Sequence, residues 1–389
     1  MKKIAILVFF TVGFFVHVWA CTGLIAGKQA TVDGSVLVTY SADSHTLYGA
    51  LTSSPAADWP KGSMRSIVEW DTNKPLGEIE QVEHTYAVIG NMNEHQLTVV
   101  ESTWGGRPEL VDTTGIIDYG SLMQLALERA KTAREAIKVM TGLVKKYGYY
   151  SSGESFTIAD PNEAWILDLI GKGPGRRGAV WVAVRIPDDC IAGHANYPRI
   201  HKIPMDDKEN CLYSPDVISF AREMGYFDGL NKDFSFARAY SPADFGALRA
   251  CDARVWSFFR KYDSTMDNYL PYVNGESAEP FPLYVKPSRK LSVQDMKEAM
   301  RDHFEDTPFD MTQDVGAGPF KVPYRFRPMS FEVDGKSYCM ERAIATQQTG
   351  FTLVGQMRNW LPDPVGGVLW FGVDDANTCV YIPMYCGIT

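Results

Sequence analysis

The sequence predicts a layered α+β protein in which antiparallel strand pairs alternate with helix pairs packed on the outer faces of sheets. Three observations carry this. Short β-rich runs flank the turn signals Asp33-Gly34, Asn91-Met-Asn-Glu94 and Asp160-Pro-Asn-Glu163. Between the second and third of these pairs the apolar spacing becomes helical. Hydrophobic residues make up 45% and aromatic residues 12% of 389 positions, enough for a packed interior throughout.

The elements follow in order. Residues 22–27 and 35–40 read as strands joined by a tight turn at Asp33-Gly34, so that Cys21 begins a strand and sheet geometry holds its thiol. Residues 86–90 and 97–103 form a second pair. Leu122, Leu125 and Ala126 recur at helical spacing, and Thr132-Ala-Arg-Glu135 is a capping-box pattern before Ile137, Met140, Leu143 and Val144, which predicts two helices over 119–147. Residues 156–159 and 164–169 make a third pair, and 179–186 a further strand. Pro174, and the lack of a helix after it, make the glycines of 171–178 a plain surface loop rather than a phosphate cradle. Ser214-Pro-Asp and Ser241-Pro-Ala each predict a helix start, and Ser292 begins a helix reaching about residue 305.

The first twenty residues read as a secretory leader: Met1-Lys2-Lys3, an apolar run over 4–18, and Val18-Trp19-Ala20 before Cys21. The run is too short and wrongly flanked for a stable membrane span. Cutting after Ala20 makes Cys21 the first residue of a mature chain of periplasmic or extracellular location. Three fates are then open to Cys21: a nucleophile using its own α-amine as base, a lipid-acylated anchor, or an ordinary cysteine. Trp19 fits poorly in a lipoprotein cleavage box and weighs against the anchor.

The formal charge is −9, and losing Lys2 and Lys3 with the leader makes it more negative still, a surface that repels nucleic acid and anionic lipid. Seven cysteines include Cys21; pairing among the other six stays open. There is no C-x-x-C and no H-E-x-x-H, which leaves a zinc ribbon, a thioredoxin-like motif and a metallohydrolase without support.

Cys21-Thr-Gly, Gly27-Lys28, Asp33-Gly34-Ser35, Asn93-Glu94-His95, Glu101-Ser-Thr-Trp-Gly-Gly-Arg107, Ile158-Ala-Asp-Pro-Asn-Glu-Ala-Trp165 and Ala195-Asn196 together, in this order, resemble the bacterial peptidase D group. These are cysteine dipeptidases among the N-terminal nucleophile hydrolases, distant relatives of penicillin V acylase and bile salt hydrolase. The resemblance covers Cys21 to about Lys261 and is weaker beyond. It implies a four-layer αββα sandwich of two antiparallel sheets, one hydrolase domain over 21–389, small peptides as substrates, and neither metal nor organic cofactor.

By the same resemblance Cys21 is the nucleophile, Asp43 holds its amine, and Asn196 (side-chain amide) and Thr103 (backbone N–H) stabilise the oxyanion. Arg254 reaches the site, with Arg249 nearly as good a choice. Tyr40 stands where relatives often carry an arginine beside the thiol, and its hydroxyl can donate a hydrogen bond there instead. Glu101 and Arg107 are candidates for the dipeptide's termini, or for pairing with one another. His45, His84, His95 and His194 are read as structural. Other amide hydrolysis in the same superfamily, on acylated amino acids, bile-salt conjugates or penicillin V, is the alternative among enzymes; a peptide-binding surface lipoprotein is the alternative outside them. Residues 380–389 still read as strand and turn, so the chain is expected to be a fragment or to end early.

Overall fold

The computed structural model describes residues 21–44, 49–325 and 330–387; the expected leader (1–20) and His45 lie outside the described residues. Strand β1 (Thr22–Ala26) pairs antiparallel with β2 (Val36–Asp43), Gly23 opposite Tyr40. Every residue of both strands is buried, so side chains sort by parity rather than by polarity. Cys21, Ile25, Val36, Val38, Tyr40 and Ala42 enter the core between the sheets, while Leu24, Ala26 and Leu37 enter a second core under helices. The connection is longer than the expected tight turn. It spans 27–35, and Asp33 folds it by accepting both the backbone N–H (3.0 Å) and the hydroxyl (2.6 Å) of Ser35.

A separate hairpin, β3 (Met64–Val68) and β4 (Pro75–Glu80), comes next. Strands β5 (Thr98–Trp104), β6 (Gly153–Ala159), β7 (Ala164–Gly171) and β8 (Ala179–Ile186) then run antiparallel in succession, with α1 (Tyr119–Arg129) and α2 (Ala133–Tyr147) inserted after β5. Strand β9 (Ile191–His194) returns to pair with β1. After α3 (Ala253–Arg260) and α4 (Val293–Ala299), β10 (Thr349–Met357) and β11 (Val368–Val373) extend the sheet beyond β2.

Among the described residues the first sheet has seven strands, ordered Tyr284–Val285, β9, β1, β2, β10, β11 and Ile382–Met384, so β1 is central. The second has eight, ordered Cys211–Tyr213, β8, β7, β6, β5, Met92–Asn93, Val88–Ile89 and Ser53–Ser54. Strand β7 shows how the layers form: Ala164, Ile166 and Ile170 enter the core between the sheets, and Trp165, Leu167 and Leu169 meet α1 and α2. On the other side Val255, Trp256 and Phe259 of α3 and Met296 of α4 cover the first sheet. This is an αββα sandwich, the α+β architecture expected.

The caps decide where helices begin. Thr132 accepts the Glu135 N–H (3.3 Å), and Ser292 with Asp295 closes a full capping box, although that helix ends at Ala299 rather than near 305. Neither Ser-Pro pair starts a helix. Ser214 takes the Trp181 N–H instead, and the nearby helix begins at Val217. Ser241 closes the preceding helix, its N–H on the Ala237 carbonyl (2.8 Å). The thiols of Cys21, Cys190, Cys211, Cys251, Cys379 and Cys386 are unpaired, and no described helix is long and apolar enough to cross a membrane.

Leu167 is fully buried between β7 and the helix layer. Leu167→Ala is expected to lower the unfolding free energy in urea by about 2–5 kcal/mol. A loss within experimental error would mean that this layer does not close the core.

Candidate active site

The short strand Met92–Asn93 meets β5 only at Thr98, and Asn91 takes the Val99 N–H (3.0 Å) and donates its side-chain amide to the Val99 carbonyl (2.9 Å), so beyond Val99 that edge of β5 has no strand beside it. A cleft opens there, enclosing about 790 Å³ with its mouth. Cys21, Tyr40 and Asp43 reach it from the first sheet, Glu101 and Thr103 from β5, Tyr119 from α1, and Trp70 and Asp71 from the tip of the β3–β4 hairpin. Cys21, Tyr40, Asp43, Glu101 and Thr103, all singled out in the sequence, therefore line one cavity.

The Cys21 thiol lies 3.6 Å from the Tyr40 hydroxyl, which in turn donates a short hydrogen bond to Glu101. Tyr40 thus stands beside the thiol, but its one hydroxyl hydrogen goes to Glu101, so the expected donation to the thiol is not made. Glu101 alternates with Val100 and Ser102 and so lies on the face of β5 that carries α1, where Glu154 of β6 joins it. Thr103 donates to Glu154 (2.6 Å). Burial pushes both carboxyls up, Glu154 well above the ordinary range with the charge of Glu101 adding to the effect. Two carboxyls that share a dry site resist carrying two negative charges, so the pair, not either residue alone, tends to hold a proton. Burial first, then the charges of Glu101 and Asp43, hold the thiol well above its usual range, and the Asp43 backbone N–H opposes this.

The carboxylate of Asp43 accepts from Arg342 (2.5 Å), Thr349 (2.6 Å) and Ser41 (3.3 Å). Its cation, Arg342, comes from a segment far along the chain and escaped the sequence reading.

Arg254 is fully buried on α3 and ties the site together. Nη1 donates to the Cys21 carbonyl (2.7 Å) and the Thr22 hydroxyl (2.8 Å), and Nη2 to the Ala195 carbonyl (3.1 Å) and Asn196 Oδ1 (2.8 Å). Burial and the neighbouring Arg342 lower its pKa to about 10, so it stays a cation at neutral pH. Asn196, at φ 58°, sends one amide hydrogen to the Thr103 carbonyl (2.5 Å), and the amide has a second to offer. Arg249 turns away onto Glu341 (2.6 and 2.9 Å), so of the two arginines it is Arg254 that contacts Cys21 and Asn196.

Arg107 is not brought to the cleft. Its Nε donates to the Ala239 carbonyl (2.7 Å) and its guanidinium stacks 3.7 Å from the Tyr226 ring centroid, so it neither pairs with Glu101 nor lines the cavity. His84 and His95 pair with Asp58 and Asp363 away from the cleft. His194 is buried between the sheets, its ring nitrogens on Ser102 (2.6 Å) and Thr157 (2.8 Å). Glu154, Tyr119, Trp70 and Asp71 had no sequence signal beyond ordinary strand, helix and turn residues.

With this geometry in view, comparison with known proteins identifies the family. The model of peptidase family C69 matches residues 20–389. The chain belongs to peptidase family C69. A probable dipeptidase of Salmonella dublin is 27% identical, over 95% of this chain and 81% of its own length. A probable dipeptidase of Latilactobacillus sakei is 25% identical (94% and 74%), and dipeptidase A of Lactobacillus helveticus 25% (95% and 76%). Membership makes this C69 chain a peptide hydrolase of a dipeptidase family.

Burial, with Arg254 and Arg199 nearby, lowers the His194 pKa from 6.5 to about 3. The folded site is neutral where an unfolded histidine is already charged, so protons bind the unfolded chain first and stability falls as pH drops from 6.5 towards 3. His194→Gln is expected to flatten that part of the profile, measured by urea unfolding at about pH 7 and about pH 4.5. Parallel profiles would show that His194 is not held neutral.

Proposed function

We propose that this dipeptidase is exported, is cut after Ala20, and hydrolyses dipeptides with the thiol of Cys21 as nucleophile and the freed α-amine as base. The seat of Cys21 carries the reading: it precedes a central strand, its thiol is on the cleft, and its carbonyl is fixed by a buried arginine.

The free thiol needs a base, because burial and two carboxylates disfavour its anion. An α-amine titrating at about 7.7–8.0 accepts the thiol proton at neutral pH, and the new ammonium lies next to the thiolate it stabilises. Asp43, close enough for its charge to act on the thiol, orients that amine. The thiolate adds to the peptide carbonyl carbon, and the oxyanion takes the second amide hydrogen of Asn196 and the Thr103 N–H. The C–N bond breaks, the ammonium proton passes to the leaving amine, and a thioester remains on Cys21. Water, deprotonated by the same amine, attacks the thioester; the acid leaves and the thiol regains its proton. Arg254 positions Cys21 and Asn196 together.

Assay with alanyl-alanine tests this. Cys21→Ala should abolish hydrolysis, and Cys21→Ser should lower it severely because serine is the poorer nucleophile at neutral pH. Asn196→Ala is expected to lower kcat about a hundred- to thousandfold, the usual cost of one oxyanion donor. Activity retained in Cys21→Ala would remove the mechanism.

A further inference from the structure

The β3–β4 hairpin belongs to neither large sheet, yet its tip is fastened to the first turn of α1 by side chains that serve no other strand. Asp118, the N-cap of α1, accepts the Ser121 N–H with one oxygen (3.2 Å) and the Trp70 N–H with the other (2.8 Å). Ser121 donates to the Val68 carbonyl (3.1 Å), and the Tyr119 hydroxyl donates to Asp71 Oδ1 (2.8 Å). Gly120 lets the tip come this close: a Cβ there would sit 2.5 Å from the Trp70 side chain. Trp70 and Asp71 are thereby fixed as the outer wall of the cleft that holds Cys21.

The charge of that cleft is one-sided. Asp43, Asp71 and Glu101 line it, and among the described residues no lysine, arginine or histidine does. Asp43 is occupied by Arg342 and Thr349, and Glu101 by Tyr40. Lys74, the cation of the same hairpin turn, is directed to the Tyr150 hydroxyl (3.0 Å). Asp71 keeps Oδ2 without a partner among the described residues. Asp71 stays exposed to solvent at the rim of the cleft; desolvation of part of its carboxyl, with Asp118 and Glu69 adding to it against the Tyr119 hydrogen bond, raises it to about 6, so it is an anion at neutral pH.

We propose that Asp71 is the specificity residue for the substrate's free α-ammonium, held across the cleft from Cys21 by the Tyr119 hydroxyl. This rests on the dipeptidase reading above. Trp70 and Asp71 line the cleft opposite Cys21, so the amino end of a short substrate whose carbonyl is held at the thiol is presented to the Asp71 carboxylate. An acyl-amino acid, with no charge at that position, leaves the carboxylate unpaired.

The test compares alanyl-alanine with propionyl-alanine, the same molecule without its α-amino group, in wild type and in Asp71→Asn. Wild type should favour alanyl-alanine. Asp71→Asn should raise KM for alanyl-alanine about ten- to hundredfold, the size of a lost charge-assisted hydrogen bond, with kcat changed far less and propionyl-alanine unaffected. Tyr119→Phe, which frees the carboxylate without removing it, should move KM the same way by a smaller factor. Alkylation of Cys21 by iodoacetamide at the wild-type rate shows that each variant is folded. Equal losses on both compounds, or none on either, would overturn the role of Asp71. A wild-type preference for propionyl-alanine would overturn the dipeptide reading, and activity in Cys21→Ala the nucleophile; neither result can be mistaken for failure at Asp71.

Discussion

The site depends on one buried cation with no carboxylate against it. Arg254 is balanced by oxygen dipoles: three carbonyls (Ala250, Cys21 and Ala195), a hydroxyl and an amide oxygen, each within 3.1 Å. A guanidinium is suited to this because its donors leave in a fixed fork and it keeps its charge even when desolvation lowers its pKa. Besides the Ala250 carbonyl just before its own helix, its acceptors come from the start of β1 and from the turn after β9, so α3, the strand that follows Cys21 and the Asn196 amide share one fixed point. Asn196 sits at positive φ because that turn must present both its oxygen to Arg254 and its nitrogen to Thr103. A lysine could not bridge these groups.

Around the thiol the balance is the reverse. Where an arginine would lower the thiol pKa, Tyr40 joins Cys21 to Glu101 and, through it, to Glu154. Such a cluster disfavours the thiolate. Two positive charges are in prospect, the enzyme's own α-ammonium and that of the substrate, and both belong beside carboxylates that already line the cleft. On the proposed mechanism, catalysis and substrate selection would draw on the same electrostatic deficit.

How much of this was legible in the sequence depended on the range of the interaction. Strand pairs such as β1–β2 and β6–β7 are local, and parity within them separates inner from outer faces, so the sandwich could be read from alternation and turn signals. Cys21 and Tyr40 follow from that register, since Gly23 opposite Tyr40 brings the ring to the first turn of chain. Arg254 and Arg249 could not be separated: both lie on one helical run, and a π-helical stretch over Ala247–Asp252 shifts the phase between them, turning one inward and the other to Glu341. Arg107 was misread because Gly105 and Gly106 redirect the chain after β5, carrying the guanidinium to Tyr226. Arg342 and Asp71 were missed because each acts through a fold-level contact with no local pattern; Asp71 reads as one more polar residue in a turn.

The most direct test of the account is the mass of the Cys21 peptide after the exported protein is mixed briefly with a dipeptide and quenched in acid. The account predicts a chain beginning at Cys21, unmodified before mixing and carrying one aminoacyl group on that cysteine after it. A chain beginning elsewhere, a lipid on Cys21, or substrate turned over with no label on Cys21 would contradict it.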